Sequence, residues 1–132
     1  MNVFFDTSAI VPLLIKEVHT ERAQAAWSKT TRAWAWRWMQ VEAESALGRR
    51  RASTEAWAQW RTLSNSMTWL EMEPRTWSQL CAFNRPLRLR AADAGHLFVC
   101  DRAMTVVSGL TLATFDDEMI EAAEALSLPM VG

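Results

Sequence analysis

Four acidic side chains stand where the sequence changes character. Asp6 follows the apolar β-forming run Val3-Phe4-Phe5 and precedes Thr7-Ser8, a pattern in which a buried strand hands over to a helix. Asp116 follows Leu110 to Phe115, the second run that reads as a fully buried strand. Glu42 and Asp93 lie near the starts of helical stretches. In an open α/β sheet, ligand crevices form at the C-terminal ends of the strands, and short connections bring helix starts to that same edge. Alone, Asp6 is equally well explained as a helix cap, and Asp93 as first-turn compensation of the helix dipole. Together, four converging carboxylates without a lysine repel one another and take up protons unless a cation is present. A hard divalent ion with oxygen ligands fits them: Mg²⁺ or Mn²⁺, held through a few carboxylates and several waters in a cleft open to a phosphate substrate.

The elements that must position these acids alternate along the chain. A strand to Phe5 leads to a short helix to about Lys16 and a second helix over about Thr20 to Lys29. Thr31 to Trp38 alternates with period two and reads as a strand with Trp34, Trp36 and Trp38 on one face. Helices are expected over about Gln40 to Arg51, Ser53 or Thr54 to Leu63, Arg75 to Phe83, Ala91 to Ala103, and after Asp117. Trp69 to Glu73 reads as a short edge strand and Pro129 to Val131 as a last one. Strands alternating with helices imply an α/β fold whose central sheet is mostly parallel, with helices on both faces. At 132 residues, 50% hydrophobic and net charge −1, the chain fits one domain with a core of its own. The near-neutral charge argues against a histone-like mass binder of nucleic acid. Cys81 and Cys100 form no metal-ligand pattern, and with no signal segment ahead of the first strand a cytoplasmic setting with reduced thiols is expected. The longest apolar run, Ala9 to Ile15, contains Pro12 and is too short to span a bilayer.

Several other groups invite a reading. Glu42 and Glu44 are two residues apart on a helix, about 200° of rotation, so both cannot face one pocket. Arg49-Arg50-Arg51 suits the negative end of a helix; a phosphate-contacting patch is the functional alternative. His96 stands one turn after Asp93 and is expected to be a hydrogen-bonded structural histidine rather than a metal ligand. Asp117 is placed to cap the last helix, leaving Asp116 to point into the cleft. The three alternating Trp read as core or partner-interface bulk rather than a base-stacking platform. Trp27, Trp57 and Trp60 are candidates for an interface with a partner protein.

Asp6-Thr7-Ser8, Glu42 followed by Ser45-Ala46-Leu47, Asp93-Ala94-Gly95-His96-Leu97, and Thr114-Phe115-Asp116 together resemble the PIN domain, in particular the VapC-like toxin ribonucleases. The resemblance spans nearly the whole chain. It implies a single PIN-like domain over residues 1–132, a three-layer α/β/α sandwich. It implies a metal-dependent endoribonuclease, a homodimer that acts as the toxin of a type II toxin–antitoxin pair, with RNA as substrate and an antitoxin protein that blocks the acidic cleft. By position Asp6, Glu42, Asp93 and Asp116 take the family's acidic quartet, and Ser8 and Thr114 its supporting hydroxyls. Glu42 is preferred to Glu44 because the family places Ala and Leu four and five residues after its glutamate. Asp6 and Asp116 are expected as direct ligands of Mg²⁺ or Mn²⁺. Asp93 is expected either as a ligand or as the orienter of a ligand water, and Glu42 serves a second metal or positions water. The chain departs from the pattern at Gly95, where a larger apolar residue is usual, at Trp36, where a small hydroxyl residue is common, and at Phe98-Val99-Cys100, which replaces an alanine-rich run.

Two rival classes remain. A haloacid-dehalogenase-like phosphotransfer domain wants a second Asp where Ser8 stands, and a receiver domain wants a late lysine, whereas only Lys16 and Lys29 are present. A non-catalytic interaction module on the PIN scaffold would use the Trp-rich surfaces alone. The helical geometry separates the two glutamates experimentally: Glu42→Gln is expected to cost at least tenfold in RNA cleavage and Glu44→Gln less than twofold. Cleavage rates of the two variants, measured side by side, check this.

Overall fold

The computed structural model describes residues Met1 to Gly132. Its elements run β1 (Asn2–Phe5), α1 (Thr7–Leu14), α2 (Thr20–Ser28), β2 (Arg32–Trp36), α3 (Trp38–Arg49), α4 (Thr54–Ser66), β3 (Thr68–Leu70), a 3₁₀ turn (Pro74–Thr76), α5 (Trp77–Asn84), α6 (Ala91–Ala103), β4 (Thr111–Ala113) and α7 (Asp117–Ala125). The strands form one sheet in the order β3-β2-β1-β4. All three pairings are parallel, with Val3 between Ala33 and Thr111. No helix is long and apolar enough to cross a membrane. Cys81 and Cys100 are both free thiols.

β1 is central, and its Val3, Phe4 and Phe5 are fully buried, which is why it reads as a continuous apolar run instead of an alternating one. Side chains leave a strand on alternate faces, and the two faces build two cores. Val3, Phe5, Ala33, Ala35 and Ala113 pack with residues of α1 to α4, including Ile10, Met39, Leu47 and Trp60. Phe4 and Leu112 pack on the other side with Leu97 and Cys100 of α6 and Met119 and Ala123 of α7, while Trp34 and Trp36 lie against that cluster. The result is the expected α/β/α sandwich.

The structure corrects the expected run of alternating Trp. β2 ends at Trp36, and Trp38 is the first residue of α3. The cause lies in the neighbouring strand: Trp36 pairs with Leu70, the last residue of β3, and Arg37 N–H donates to Leu70 O at 2.8 Å. Beyond that bond no partner strand continues, so the chain turns into helix. Pro129 to Val131, expected as a strand, is reduced to one parallel bridge between Leu112 and Met130. Trp60 is core at 3% exposed, and its indole N–H donates to Glu44 Oε2 at 3.1 Å. Trp27 packs on Phe5 with ring centroids 5.4 Å apart, and Trp57 lies partly buried against the same core.

Gly95 and Trp36, two departures from the family pattern, prove to be one feature. A Cβ placed on Gly95 would lie 2.3 Å from Trp36 Cζ3 and 2.4 Å from its Cη2, so the indole occupies the volume a larger residue would fill. Alanine normally favours a helix over glycine by about 1 kcal/mol; here overpacking, typically ~1–3 kcal/mol, opposes it. Gly95→Ala is therefore expected to destabilise the protein. In a Trp36→Phe background, where the smaller ring no longer reaches that volume, the same change is expected to be neutral or stabilising. Urea denaturation of the two single variants and the double variant gives the coupling energy that checks this.

Candidate functional site

The two ways of leaving the sheet locate the site. The chain winds from β1 through β2 to β3 with α1 to α4 on one face, then returns to β4 on the opposite side of β1 by way of α5 and α6 on the other. The strand order thus reverses between β1 and β4, the topological switch point where open α/β sheets bind ligands at the carboxyl ends of their strands. Asp6 leaves β1 there, and Thr114 to Asp116 leave β4 beside it, with Asp6 N–H donating to Ala113 O at 3.2 Å.

Asp6 is 2% exposed. It stands at the N-cap position of α1, yet its side chain caps nothing. Instead Ser8 Oγ donates to Oδ1 at 2.7 Å and Thr114 Oγ1 donates to Oδ2 at 2.8 Å. Each hydroxyl in turn accepts a backbone N–H: Ser8 Oγ from Phe115 at 2.9 Å and Thr114 Oγ1 from Asp116 at 3.2 Å. Burial pushes the Asp6 carboxyl up to about 6, against the lowering effect of His96 and the two hydroxyls, and the negative charge of Asp93 adds to the rise. Asp93, in the first turn of α6, is likewise raised by burial and by Asp116 and Glu42, with His96 and then Arg90 opposing. Asp93 is thus the acid through which the set is linked, raising Asp6 and being raised by Asp116 and Glu42. No Lys or Arg forms an ion pair with any of them.

Asp116 corrects one expectation. Its Oδ1 accepts Met119 N–H at 2.9 Å, so it is Asp116, not Asp117, that caps α7. Asp117 occupies the first helical turn. Asp116 keeps a second oxygen in addition to the one engaged in the cap.

Glu42 and Glu44 diverge as helical rotation requires. Glu44 is exposed and bonds Trp60, on the far side of α3 from the cluster. Glu42 Oε1 accepts from Thr7 Oγ1 at 2.7 Å and from His96 Nε2–H at 2.5 Å. Burial raises the Glu42 carboxyl, but His96 and Thr7 outweigh it and hold the group below the usual glutamate range. His96 is 1% exposed, and its Nδ1 is buried without a protein partner. Trp36 meets the imidazole edge-on, with ring centroids 5.2 Å apart. The expected hydrogen-bonded histidine is thus present. Its partner, 54 residues distant, is not legible in sequence, and neither is the bond from Thr7 to that same partner.

The donor atoms are carboxylate and hydroxyl oxygens, which suits Mg²⁺ or Mn²⁺. No three acidic, His or Cys groups stand close enough to form a ready all-protein cage.

A family model described as PIN domain matches residues 3–125. Ribonuclease VapC35 of Mycobacterium tuberculosis is 31% identical over 131 residues, covering 98% of this chain and 95% of the relative. The crystal structure of M. tuberculosis VapC20, described as a Sarcin-Ricin loop cleaving toxin, has a TM-score of 0.73 at 18% identity and covers 98% of each chain. That of PAE2754 from Pyrobaculum aerophilum has a TM-score of 0.64 at 22% identity, covering 92% of this chain and 84% of that one. The two structural likenesses establish the fold.

The buried Asp6 makes stability depend on pH. Its folded pKa of about 6 lies above the unfolded value of 3.8, so the native state binds more protons than the unfolded chain between those values. The contribution is fully present below the unfolded pKa and is lost as pH rises through about 6. Without divalent ions, moving from about pH 7.5 to about pH 5 is expected to stabilise the wild type relative to Asp6→Asn by on the order of 1 kcal/mol. Urea denaturation of both proteins across that range, in EDTA, checks the sign.

Proposed function

The chain belongs to the PIN-domain family, and on that premise we propose that it is a Mg²⁺- or Mn²⁺-dependent endoribonuclease, the toxin of a type II toxin–antitoxin pair. The observation that carries this reading is the buried Asp6 carboxylate at the β1–β4 switch point, electrostatically coupled to Asp93 and through it to Asp116 and Glu42, with His96 on Glu42 as the one basic side chain paired within the set and no Lys or Arg paired to any of them. Such a set has a chemical use if a divalent ion neutralises it. The VapC35 likeness over nearly both full lengths supports the ribonuclease class.

In this reading Asp6, Asp93 and Asp116 would hold the ion, in part through its retained waters, and Ser8 and Thr114 orient the Asp6 carboxylate by donating to its two oxygens. The bound ion supplies Lewis acidity at a phosphodiester oxygen and a lowered pKa for its water. Glu42 is kept ionised by His96 and Thr7. Its Oε1 is occupied by both donors, which leaves Oε2 to orient the attacking water. The water's oxygen bonds to phosphorus as the ester P–O bond breaks in line with it; the water's proton passes to a carboxylate of the cluster, and the leaving ribose oxygen keeps the electron pair of the broken bond and takes a proton from solvent. RNA is the proposed substrate, and the proposed partners are a cognate antitoxin protein and a second copy of the chain.

Asp6→Asn removes charge while keeping shape. It is expected to reduce divalent-dependent cleavage of single-stranded RNA by at least a hundredfold while leaving the circular-dichroism spectrum unchanged. Mg²⁺ is expected to raise the Tm of the wild type, because a ligand that binds only the native state stabilises it, and to do so much less for the variant. Cleavage by Asp6→Asn at the wild-type rate would remove Asp6 from the reaction.

A further inference from the structure

The helix that carries Glu42 presents more than an acid. Trp38, Glu42, Ser45 and Arg49 recur at i, i+4, i+7 and i+11 along α3, the spacing of a single helical face, and Val41 lies beside them. With Arg50 they line an open groove of about 520 Å³. Trp38 is 45% and Val41 51% exposed, unlike the buried apolar residues Met39, Ala43 and Leu47 on the other side of the same helix. Arg49 and Arg50 are exposed and form no ion pair.

The two ends of this groove are held in place. The Trp38 ring lies 6.3 Å from that of Trp36, which meets His96, which bonds Glu42; an unbroken line of contacts therefore runs from Trp38 to the acidic cluster. At the other end α3 closes in a Schellman turn. Ala52 N–H donates to Leu47 O at 2.9 Å and Arg51 N–H to Gly48 O at 3.1 Å, with Arg51 at a φ of +51°. The backbone under Arg49 and Arg50 is thereby fixed.

We propose that this face of α3 is the track for single-stranded RNA, with an unpaired base stacked on Trp38, phosphates gripped by Arg49 and Arg50, and the scissile phosphodiester brought past Glu42. The proposal rests on the reading of the acidic cluster as a ribonuclease site and names how substrate reaches it. An exposed indole with nearby unpaired guanidinium groups is the combination that single-strand binders use, aromatic rings for bases and cations for the backbone. A base can stack on a protein ring only when it is splayed out of a duplex, so the track favours single strands. Free arginines beside an acidic cluster also suit a polyanion that must be drawn toward carboxylates. Protein partners are the less suited occupant, because the groove is open and its apolar part is limited to Trp38, Val41 and Ala46.

Binding is measured without turnover, by fluorescence anisotropy of a labelled single-stranded oligoribonucleotide. Two backgrounds are used, Asp6→Asn with Mg²⁺ and the wild-type chain in EDTA. Trp38→Ala is expected to weaken binding about fivefold or more, and Trp38→Phe, which keeps a stacking face, to restore most of it. Arg49→Ala and Arg50→Ala are each expected to weaken binding and to lower the slope of log K against log salt by about 0.7. A duplex of the same sequence is expected to bind more weakly and to ignore Trp38. In the active chain, Trp38→Ala is expected to raise KM more than it lowers kcat. The proposal is overturned if the α3 variants bind as the parent does, if neither background binds the oligonucleotide, or if Trp38→Ala changes only the sedimentation coefficient, which would make this face a contact between copies of the chain. Failure of the wild type to cleave any RNA with Mg²⁺ or Mn²⁺ would sink the ribonuclease reading instead, and the binding series would still judge the track.

Discussion

A carboxylate almost wholly removed from water, with each oxygen held by one hydroxyl, is the constraint on which the rest of this molecule depends. Ser8 and Thr114 reach the same Asp6 side chain from opposite ends of the chain, 106 residues apart, and each accepts a backbone N–H from the segment leaving β4. The hydrogen bonds therefore join the first strand to the last and align the two strand ends that carry Asp6 and Asp116. A buried carboxylate is costly to ionise unless it is paired or bonded, and here the hydroxyls offset only part of that cost, since the group remains raised to about 6. Under the proposed function a bound divalent ion would complete that compensation.

The second organising contact is His96 with Glu42. It joins α6 to α3 across the sheet edge, and with the Thr7 hydroxyl it fixes which Glu42 oxygen is occupied and which is left. The environment of this contact is built by two residues that each break the family's pattern. Trp36 lays its ring against the imidazole, and Gly95 withholds the side chain that would displace that ring. One departure makes room for the other, so the acidic cluster retains its framework although the residues behind it differ in size.

The contrast between the two sides of α3 shows how one helix serves packing and chemistry together. Met39, Ala43 and Leu47 fasten it to the sheet, Glu44 on a third side accepts from Trp60, and Glu42 is left at the cleft. Because the buried stripe fixes the rotation of the helix, the orientation of Glu42 follows from apolar residues that take no part in any reaction. The same rotation places Trp38 and Arg49 on the outer surface.

Much of this was legible in the sequence because it depends on neighbours along the chain. The period of apolar residues indicated the helices and the central strand, including a helix over about Ala91 to Ala103, and the positions of Asp6, Glu42, Asp93 and Asp116 relative to strand ends and helix starts followed from that. The helical angle showed that Glu42 and Glu44 cannot share a pocket, and the resemblance to the family chose Glu42. What the tertiary structure decided were the matters that depend on distant partners. β2 stops at Trp36 because β3 supplies no hydrogen bonds beyond Leu70, so Trp38 became a helical surface residue instead of a third ring on a strand. Asp116 rather than Asp117 caps α7 because the chain leaving β4 is still extended at Asp116. The partner of His96 and the fit of Trp36 over Gly95 join residues more than fifty positions apart. Periodicity reports which side of an element is buried, but not which side chain from another element arrives there, and that is set only when the sheet order brings β1, β2 and β4 together.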